Sequence, residues 1–509
     1  MIARQPIRLV YATIFTLTAI EFMQLSMTAF AAGPIMGEVS IGPEDFSLIA
    51  SVYASVAILM ISMQRWFVER MGGRRFIQCI TAISVLGSAL CATSHDFDSF
   101  LAGRMVMAIG GGAMFTAARM IVHHVLEGRQ RFLGIASLAT GVALSIAAAP
   151  GLASLAVANE TWTAIFWLLA SLGVAAFLLA SVTLSNDAVT PIERLSHINP
   201  WEQLLLVGSS FVLLYALQRF YYDFYGDVAW IAVAFCFAVA GLLAYANRQR
   251  RRERPLLHIR QMLHARYLVG MGLFMFAYLM LGANNYVVPV MLQRTLGYSW
   301  ETVGHFEALG LGFAVLTWAV MSQVLPRYPA PRKFYVTGFV ALAGFGFLLT
   351  RIDTSANLWL DVLPALALNS VFLLTVLPVT AMQTFRETEY DESVFSNAQQ
   401  LKNMLAQAGI ALGITLATLG QQWRTTVHYA TLNTNIHPGN PAFTAMVEQI
   451  RNTLAPAIGP TDAAQIAMAR IAQMLAQQSS MLANIDHFGV IAVLGVLGVI
   501  FTIVQRVMR

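Results

Sequence analysis

Apolar runs about as long as a bilayer is thick recur along nearly the whole chain. About 20 consecutive apolar residues in a helix span the hydrocarbon core of a membrane. Only 11% of the 509 residues are charged, against about 25% in a soluble domain, so the chain cannot coat a water-facing surface. The sequence therefore predicts an all-α integral membrane protein with fourteen transmembrane helices. The predicted spans are 9–31, 46–64, 76–93, 99–121, 132–156, 162–184, 201–218, 228–246, 267–292, 302–324, 334–350, 357–382, 396–420 and 486–508.

The distribution of basic residues predicts how the chain is oriented. If the spans alternate in direction, most of the 31 Lys and Arg residues fall on the side that holds the N-terminus. This positive-inside asymmetry predicts that both termini are cytoplasmic, and the net charge of +5 then reports topology and not nucleic-acid binding. The apolar run from Leu9 to Ala32 exceeds the 7–15 residues typical of a signal peptide. We therefore interpret it as an uncleaved first helix.

Several chemistries are excluded by the absence of their residues. The two lysines, Lys333 and Lys402, follow Arg and Leu, so the chain has no Gly-Lys of a Walker A loop. None of the ten histidines precedes a Glu, which excludes an HExxH metalloprotease. The three cysteines have no CxxC spacing and are expected to pack in the interior. We expect neither enzyme activity nor a cofactor nor a metal site.

The connection between spans two and three, RWFVERMGGRRFI, combines an acid with four arginines and a Gly-Gly turn. It resembles the signature G-x-x-x-D-R-x-G-R-R of the major facilitator superfamily. Glu69, Arg70, Gly72, Arg74 and Arg75 match the motif, whereas Arg65 and Gly73 depart from it. The resemblance implies a cytoplasmic gate in which Glu69 pairs with an arginine of a neighbouring helix end. Alternatively, the stretch is a basic loop that only sets topology.

Two further segments resemble motifs of the same superfamily. Span four begins LAGRMVMAIGGGA, similar to the R-x-x-Q-G element, with Arg104 as its arginine. Span five contains GVALSIAAAPGLAS, similar to the antiporter element ending G-P-x-x-G-G. Gly141 and Pro150 match it, Ala149, Ala153 and Ser154 stand where glycines are expected, and Gly151 is a further small residue expected to pack there. Small residues of this kind let membrane helices pack closely.

RERPLLHIRQMLHARY before span nine and QQSSMLANIDHF before span fourteen resemble the fourteen-helix drug/proton antiporter branch, the EmrB/QacA-like permeases. The resemblance implies the major facilitator fold, with a six-helix bundle in 1–186, two additional helices and a basic linker in 187–260, and a second six-helix bundle in 261–509. It also implies proton-coupled efflux of hydrophobic or amphipathic small molecules across a bacterial inner membrane by alternating access.

The resemblance further implies two partners, a periplasmic membrane-fusion adaptor and an outer-membrane channel. We expect the polar segment 422–484 to form a helical hairpin. This hairpin is the expected contact with the adaptor.

Glu21 lies about midway along span one, in TAIEFMQLSMTAFAAGP. A charged acid at this depth costs roughly 2.5–3.5 kcal/mol on insertion scales, so it marks a functional site. We predict that Glu21 carries the coupled proton; the alternative is a structural carboxyl bonded to a neighbouring helix. The branch usually has an Asp slightly later, where this chain reads Leu25-Ser26-Met27-Thr28. Arg104 is predicted to modulate that acid or to bind an anionic substrate, or else to form a purely structural pair.

Further polar residues predict the substrate cavity. They lie inside spans nine and thirteen and are Asn284, Asn285, Tyr286, Lys402 and Asn403. Interhelical hydrogen bonding explains the two amides of span nine equally well, and the Lys402 stem can snorkel to the interface. Glu307 near the end of span ten is expected in a vestibule. Two other functions stay open, namely export of one endogenous metabolite or siderophore, and a membrane receptor or scaffold that transports nothing.

Overall fold

The computed structural model describes residues 7–159, 161–185, 196–222, 224–252, 257, 262, 264–328, 330–353, 356–387 and 392–508. Most of the basic connection RERPLLHIRQMLHARY lies outside these residues. Within them, fourteen helices are long and apolar enough to cross a membrane, which confirms the predicted number and the all-α class. Side chains such as Leu178, Trp230, Phe237 and Leu243 are more than half exposed on the outside of the bundle, as lipid-facing residues are.

The first half of the chain contains six spans. Its helices are α1 (Ile7–Phe30), α2 (Ala32–Glu38), α3 (Pro43–Met71), α4 (Gly73–Ala92), α5 (Phe97–Gly111), α6 (Met114–Val125), α7 (Gly128–Ala158) and α8 (Ala164–Thr183). The short α2 lies outside the spans, and α5 and α6 together form the fourth. Gly72, with φ of 81°, ends α3 and begins α4, a left-handed conformation that favours glycine.

Two inserted helices connect the halves. They are α9 (Pro200–Tyr222) and α10 (Phe224–Arg251), which pack on each other. Helix α9 also contacts α3 of the first half and a long helix of the second half, Glu392–Asn433. The inserted pair therefore lies on the outside of the bundle, across the line where the halves meet.

The second half repeats the six-span arrangement. Its helices are α11 (Ala265–Val290), α12 (Trp300–Arg327), α13 (Pro331–Leu349), α14 (Leu363–Phe385), α15 (Glu392–Asn433), α16 (Pro441–Ile458) and α17 (Pro460–Val504). A π-helical turn, Met291–Thr295, follows α11, and another, Leu358–Val362, precedes α14.

Helices α15 and α17 are much longer than the predicted spans 396–420 and 486–508. Both continue past the apolar segment and, with α16 between them, make the segment 422–484 almost entirely helical. Four residues of α17 spaced by four, Ala463, Ala467, Ile471 and Leu475, are buried, which matches the packing of α16 against α17. Hydropathy marks only the apolar part of a helix, whereas this packing stabilises the polar remainder.

The two halves meet along a surface that we call the central seam. Helix α7 packs against α12, and α3 packs against α15. Because the spans alternate in direction, one end of the seam lies with the chain termini and the other with α16. We call these ends the terminal face and the hairpin face.

The seam is closed at both ends. Near the terminal face, Asn403 Nδ2 donates to Thr116 Oγ1 at 2.7 Å, and the Arg119 guanidinium bonds Gln399 Oε1. Near the hairpin face, the rings of Phe30 and Trp300 lie 5.7 Å apart, and Gly304 packs on the α7 turn at Ser154. The two halves therefore contact each other near both ends of the seam.

Closure at the hairpin face depends on the missing side chain of Gly304. A Cβ there would lie 2.1 Å from Ser154 Cβ and Oγ and 2.8 Å from the Pro150 carbonyl oxygen. We predict that Gly304→Val lowers the free energy of unfolding by about 1–3 kcal/mol through overpacking, measured by thermal unfolding in detergent. Gly312→Val on the same helix is the matched control, because no atom lies within 4 Å of its Cβ position. Equal loss in both variants would contradict this packing.

Candidate functional site

The fourth span is broken in the middle of the bundle. Helix α5 ends at Gly111 and α6 begins at Met114. The glycines make this possible, because a Cβ on Gly111 would collide with the Gln24 side chain and one on Gly112 with Ala57. A helix that starts inside a membrane leaves backbone N–H groups without intrahelical partners.

Glu21 supplies the partner for one of these groups. The Phe115 N–H, in the first turn of α6, donates to Glu21 Oε2 at 2.6 Å. The N-terminus of a helix carries a partial positive charge that stabilises a nearby anion, by up to about 2 kcal/mol in partly buried sites. Glu21 is only 4% exposed, so α6 provides much of the stabilisation that water would give.

The second carboxyl oxygen is bonded across the central seam. Gln407 Nε2, on α15 of the second half, donates to Glu21 Oε1 at 3.1 Å. The side chain thus connects both halves, with one oxygen in each. Helix α6, in the same half as Glu21, satisfies only Oε2. The bond between Oε1 and Gln407 must break when the halves separate.

Arg104 lies on the other side of this region without a carboxylate partner among the described residues. Its guanidinium carbon is 4.4 Å from the centroid of the Tyr53 ring, and Nη1 donates to Thr28 Oγ1 at 3.4 Å. Arg104 Nε is buried and has no hydrogen-bond partner in the described part of the chain. Tyr53 is held in turn by Gln24, whose Nε2 donates to its hydroxyl at 2.5 Å.

A cavity of about 50 Å³ lies in the seam between Arg104 and Gln407. A water molecule needs roughly 10–15 Å³ of such space, so the cavity has room for a few waters. Its wall is mostly apolar, with Arg104, Gln407, Asn285, Ser26 and Thr28 as its polar members; the apolar ones are Phe22, Leu25, Ala29, Phe46, Ile49, Ala50, Ala54, Leu281, Gly282, Ile410, Ala411 and Ile414, with Tyr53. Both halves contribute to this wall.

The other predicted cavity residues lie around this space rather than on its wall. Asn284 Nδ2 donates to Asn369 Oδ1 at 2.9 Å within the second half, and Tyr286 is buried there. Asn403 bonds Thr116 across the seam. Of the five candidates, Asn285 borders the cavity.

Lys402 occupies an aromatic cage toward the terminal face. Its Nζ lies 4.9 Å from the centroid of the Phe115 ring and 5.5 Å from those of Phe274 and Tyr278, and it donates to the Tyr278 hydroxyl at 3.3 Å. The Arg119 guanidinium lies 5.8 Å from the same Phe115 ring. Aromatic faces attract cations by about 2 kcal/mol or more when desolvated, so the rings offset part of the cost of burying the Lys402 ammonium.

At the terminal face, the predicted gate residues bind the connection between the halves. Glu69 Oε1 pairs with Arg65 of its own helix at 2.7 Å, and Oε2 accepts from the N–H and the hydroxyl of Ser196 at 2.7 and 2.6 Å. Arg70 Nη2 donates to the Ser196 carbonyl oxygen at 3.0 Å. The partner of Glu69 is therefore the segment entering α9, together with an arginine one turn earlier on α3. Arg74 is half-buried and Arg75 exposed beside it.

The small residues of the antiporter-like element pack α7 on two neighbours. A Cβ on Gly141 would lie 3.0 Å from Thr18 Cβ of α1, and one on Gly151 would lie 3.4 Å from Ala308 Cβ of α12. The Pro150 carbonyl oxygen faces Gly304, which also lies on α12. The element thus packs α7 against α1 of its own half near Gly141 and against α12 across the seam near Gly151.

Gln407, Phe115 and Arg119 have site contacts that the sequence analysis did not anticipate. The signal for Gln407 was the polar series Gln400, Asn403 and Gln407, whose three- and four-residue spacing places them on one helix face. The triple glycine at 110–112 was the signal for Phe115, because it permits a helix break. Arg119 lies close to the predicted end of its span, where a basic residue is expected to set the orientation of the chain and not to contact a site.

Two six-span halves, a seam closed at both ends and a cavity walled by both halves define a secondary membrane transporter and not an enzyme. The sequence model of the Major Facilitator Superfamily matches residues 14–414. The chain belongs to this superfamily.

Relatives and solved structures agree with that assignment. The chain is 22% identical over 448 residues to the colistin resistance protein EmrB of Acinetobacter baumannii, covering 84% of this chain and 83% of that protein. It is 22% identical over 357 residues to the lincomycin resistance protein LmrB of Listeria monocytogenes, covering 67% and 72%.

Two solved structures share the fold at low sequence identity. One is an auto-inhibited POT family peptide transporter, with a TM-score of 0.58, 16% identity, and coverage of 95% of this chain and 96% of that one. The other is a bacterial homologue of the human lysosomal transporter Spinster in an inward-facing, unoccupied conformation, with a TM-score of 0.57, 13% identity and 98% coverage of both chains.

The cap on α6 generates a stability prediction. Glu21→Ala leaves the buried Phe115 N–H without its acceptor, which costs about 1–3 kcal/mol, whereas Glu21→Gln retains an amide oxygen for that bond. We expect the Ala variant to unfold at a lower temperature in detergent and the Gln variant to lie between it and the parent. If Ala and Gln destabilise equally, the Phe115 contact does not stabilise the break.

Proposed function

We propose that the protein is a proton-coupled exporter of amphipathic small molecules that works by alternating access, with Glu21 as the proton-carrying group. The observation that carries the proposal is the position of the Glu21 carboxylate, bonded to Phe115 in one half and to Gln407 in the other. Because this titratable group bonds both halves, its protonation can change how strongly the two halves are held together.

Protonation changes what the Glu21 side chain can bind. The ionised carboxylate accepts from two N–H donors, and such charge-assisted bonds are about twice as strong as neutral ones. A proton on either oxygen removes the charge and turns one acceptor into a donor, which weakens the bond to Gln407 or to Phe115. Because Gln407 also lines the cavity, a substrate that engages it competes with Glu21 for the same amide.

The energy available from the proton is sufficient for this work. One elementary charge that crosses the membrane yields about 2.3 kcal/mol per 100 mV, and each 1.4 kcal/mol corresponds to a tenfold concentration ratio. One coupled proton therefore supports a gradient well above tenfold. The relatives named for colistin and lincomycin resistance support the direction of export.

We infer the cellular setting from the same comparisons and from the positive-inside asymmetry. The terminal face would lie in the cytoplasm of a bacterium, and α16 with the adjoining part of α17 would project into the periplasm. This hairpin exposes nearly half of Met446, Ile466 and Met468, apolar side chains suited to contact an adaptor of the membrane-fusion type. Such an adaptor and an outer-membrane channel would complete the export route.

The coupling role of Glu21 can be tested in everted vesicles with an imposed, acid-inside pH gradient. Three probes share one apolar body and differ in charge: 1-naphthaleneacetate, the quaternary (1-naphthylmethyl)trimethylammonium, whose fixed charge prevents passive trapping in an acidic lumen, and 2-(1-naphthyl)ethanol. We expect the parent to accumulate at least one of them when the gradient is imposed. Glu21→Gln should reduce that accumulation at least about tenfold while probe counterflow without a gradient persists, since counterflow needs no net proton movement.

The control variant is Glu38→Gln, which removes an exposed carboxyl on α2 and should leave accumulation unchanged. Undiminished gradient-driven accumulation in Glu21→Gln would remove Glu21 from the mechanism. Parent protein that shows counterflow but never responds to the gradient would contradict proton coupling altogether.

The adaptor contact has its own test. Replacing residues 441–474 by a short Gly-Ser linker removes α16 and three of the four buried α17 residues spaced by four, but keeps Gln477 and Ser480, which bond Thr295. We expect this variant to insert and to bind the probes normally, yet to lose co-purification with a co-expressed membrane-fusion adaptor. Retained co-purification would place the adaptor contact elsewhere.

A further inference from the structure

The charge on the cavity wall is unbalanced. The described residues that line the cavity include one charged side chain, the Arg104 guanidinium. Glu21 lies behind Gln407 and already accepts two hydrogen bonds. Among the described lining residues, Arg104 is therefore the charged group that faces this space.

Arg104 is held in place but not neutralised. It is 4% exposed, and its contacts in the described part of the chain are the Tyr53 ring, the Thr28 hydroxyl and the Met107 sulfur at 3.4 Å. A buried charge without a counter-charge is strongly destabilising, and Nε has no acceptor. Arginine presents its donors in a rigid fork that matches a carboxylate, so an acid group is the chemistry that would complete this site.

The remainder of the wall is mostly apolar, and its space of about 50 Å³ must widen, as the halves move apart, before an organic molecule can enter. Phe22, Phe46, Ile49, Ile410 and Ile414 surround the cavity from both halves. Asn285 and Gln407 are the amides within reach of a polar substituent. An amphipathic molecule with one acid group would place that group at Arg104 and its body against these side chains.

The path from the terminal face has the same sign. Arg119 and Lys402 approach the Phe115 ring from opposite halves, and neither has an ion-pair partner among the residues that the structure describes. Positive charge along a low-dielectric entrance raises the local concentration of anions. The entrance and the cavity therefore favour the same class of substrate.

From these observations we propose that the cavity binds hydrophobic organic monoanions, whose acid group pairs with Arg104 in place of the missing protein carboxylate. This inference rests on the proposed export function for its physiological meaning, but not for its binding test. It assigns Arg104 to substrate recognition and leaves proton transfer to Glu21.

Equilibrium binding distinguishes the charge classes. Purified full-length protein in lipid nanodiscs is titrated at pH 7.5 with tritiated 1-naphthaleneacetate in a scintillation proximity assay, with the naphthyl ammonium and alcohol as competitors. We expect saturable binding, and at least tenfold weaker competition by the ammonium and the alcohol than by unlabelled naphthaleneacetate. Lack of saturable binding, or equal competition by the ammonium, overturns the proposal.

Variants then assign the preference to one side chain. Arg104→Gln should lose at least tenfold in naphthaleneacetate affinity with little change for the alcohol, and Arg104→Lys should recover part of the loss. Arg351→Gln is the matched control, because Arg351 also lies over an aromatic ring, 4.9 Å from the Phe347 centroid, but is exposed. Unchanged anion affinity in Arg104→Gln overturns the assignment.

The transport experiment separates failure of this inference from failure of the export proposal. If the pH gradient drives accumulation of the ammonium and not of naphthaleneacetate, export stands and the anion site is wrong. If naphthaleneacetate binds with the expected Arg104 dependence but no probe responds to the gradient, the anion site stands and proton coupling is wrong.

Discussion

The hydrogen bonds of the Glu21 carboxylate are the constraint on which the centre of this protein depends. A carboxylate inside a membrane needs donors, and a helix that begins inside a membrane needs acceptors. The break between α5 and α6 lets each satisfy the other, and no cation among the described residues forms an ion pair with the acid. The second oxygen remains free to accept from Gln407. The side chain that stabilises one half therefore also forms a bond that depends on the position of the other half.

Cations in the seam are stabilised differently. Lys402 lies among aromatic rings, and Arg104 and Arg119 also lie over rings. Ring faces attract a cation without removing its charge, so these side chains keep the ability to bind an anion. In this structure the acid and the cations are therefore stabilised by different groups. N–H donors bind the Glu21 carboxylate, and aromatic rings contact the cations.

Hydropathy predicted the number of spans correctly because each apolar run must cross a bilayer of nearly constant thickness. It did not predict where the long helices end, since α15 and α17 continue as a packed hairpin above their apolar segments. The interior of the site was harder. Glu21 was recognisable as a buried acid, and the triple glycine as a weak point, but pairing with Gln407 depends on the rotation and register of two halves separated by hundreds of residues.

The gate motif shows the same limit. The letters around Glu69 predicted an ion pair with an arginine at a neighbouring helix end, and the structure gives one with Arg65 on the same helix and two bonds to Ser196. Ser196 lies just before α9, so Glu69 and Arg70 attach the connection between the halves to the first half. A motif specifies which groups can bond, whereas chain connectivity decides which partner is near.

Under the proposed proton-coupled export, the charge of the substrate determines whether the pH difference alone or also the membrane potential drives transport. If one proton enters for each monovalent cation that leaves, no net charge crosses, and only the pH difference contributes. If one proton enters for each monoanion that leaves, two charges move in the favourable sense, and the membrane potential adds about 2.3 kcal/mol per 100 mV for each. If both proposals hold, the exporter is electrogenic. Arg104 would then set the driving force as well as the specificity, because the charge that it selects is the charge that the potential moves.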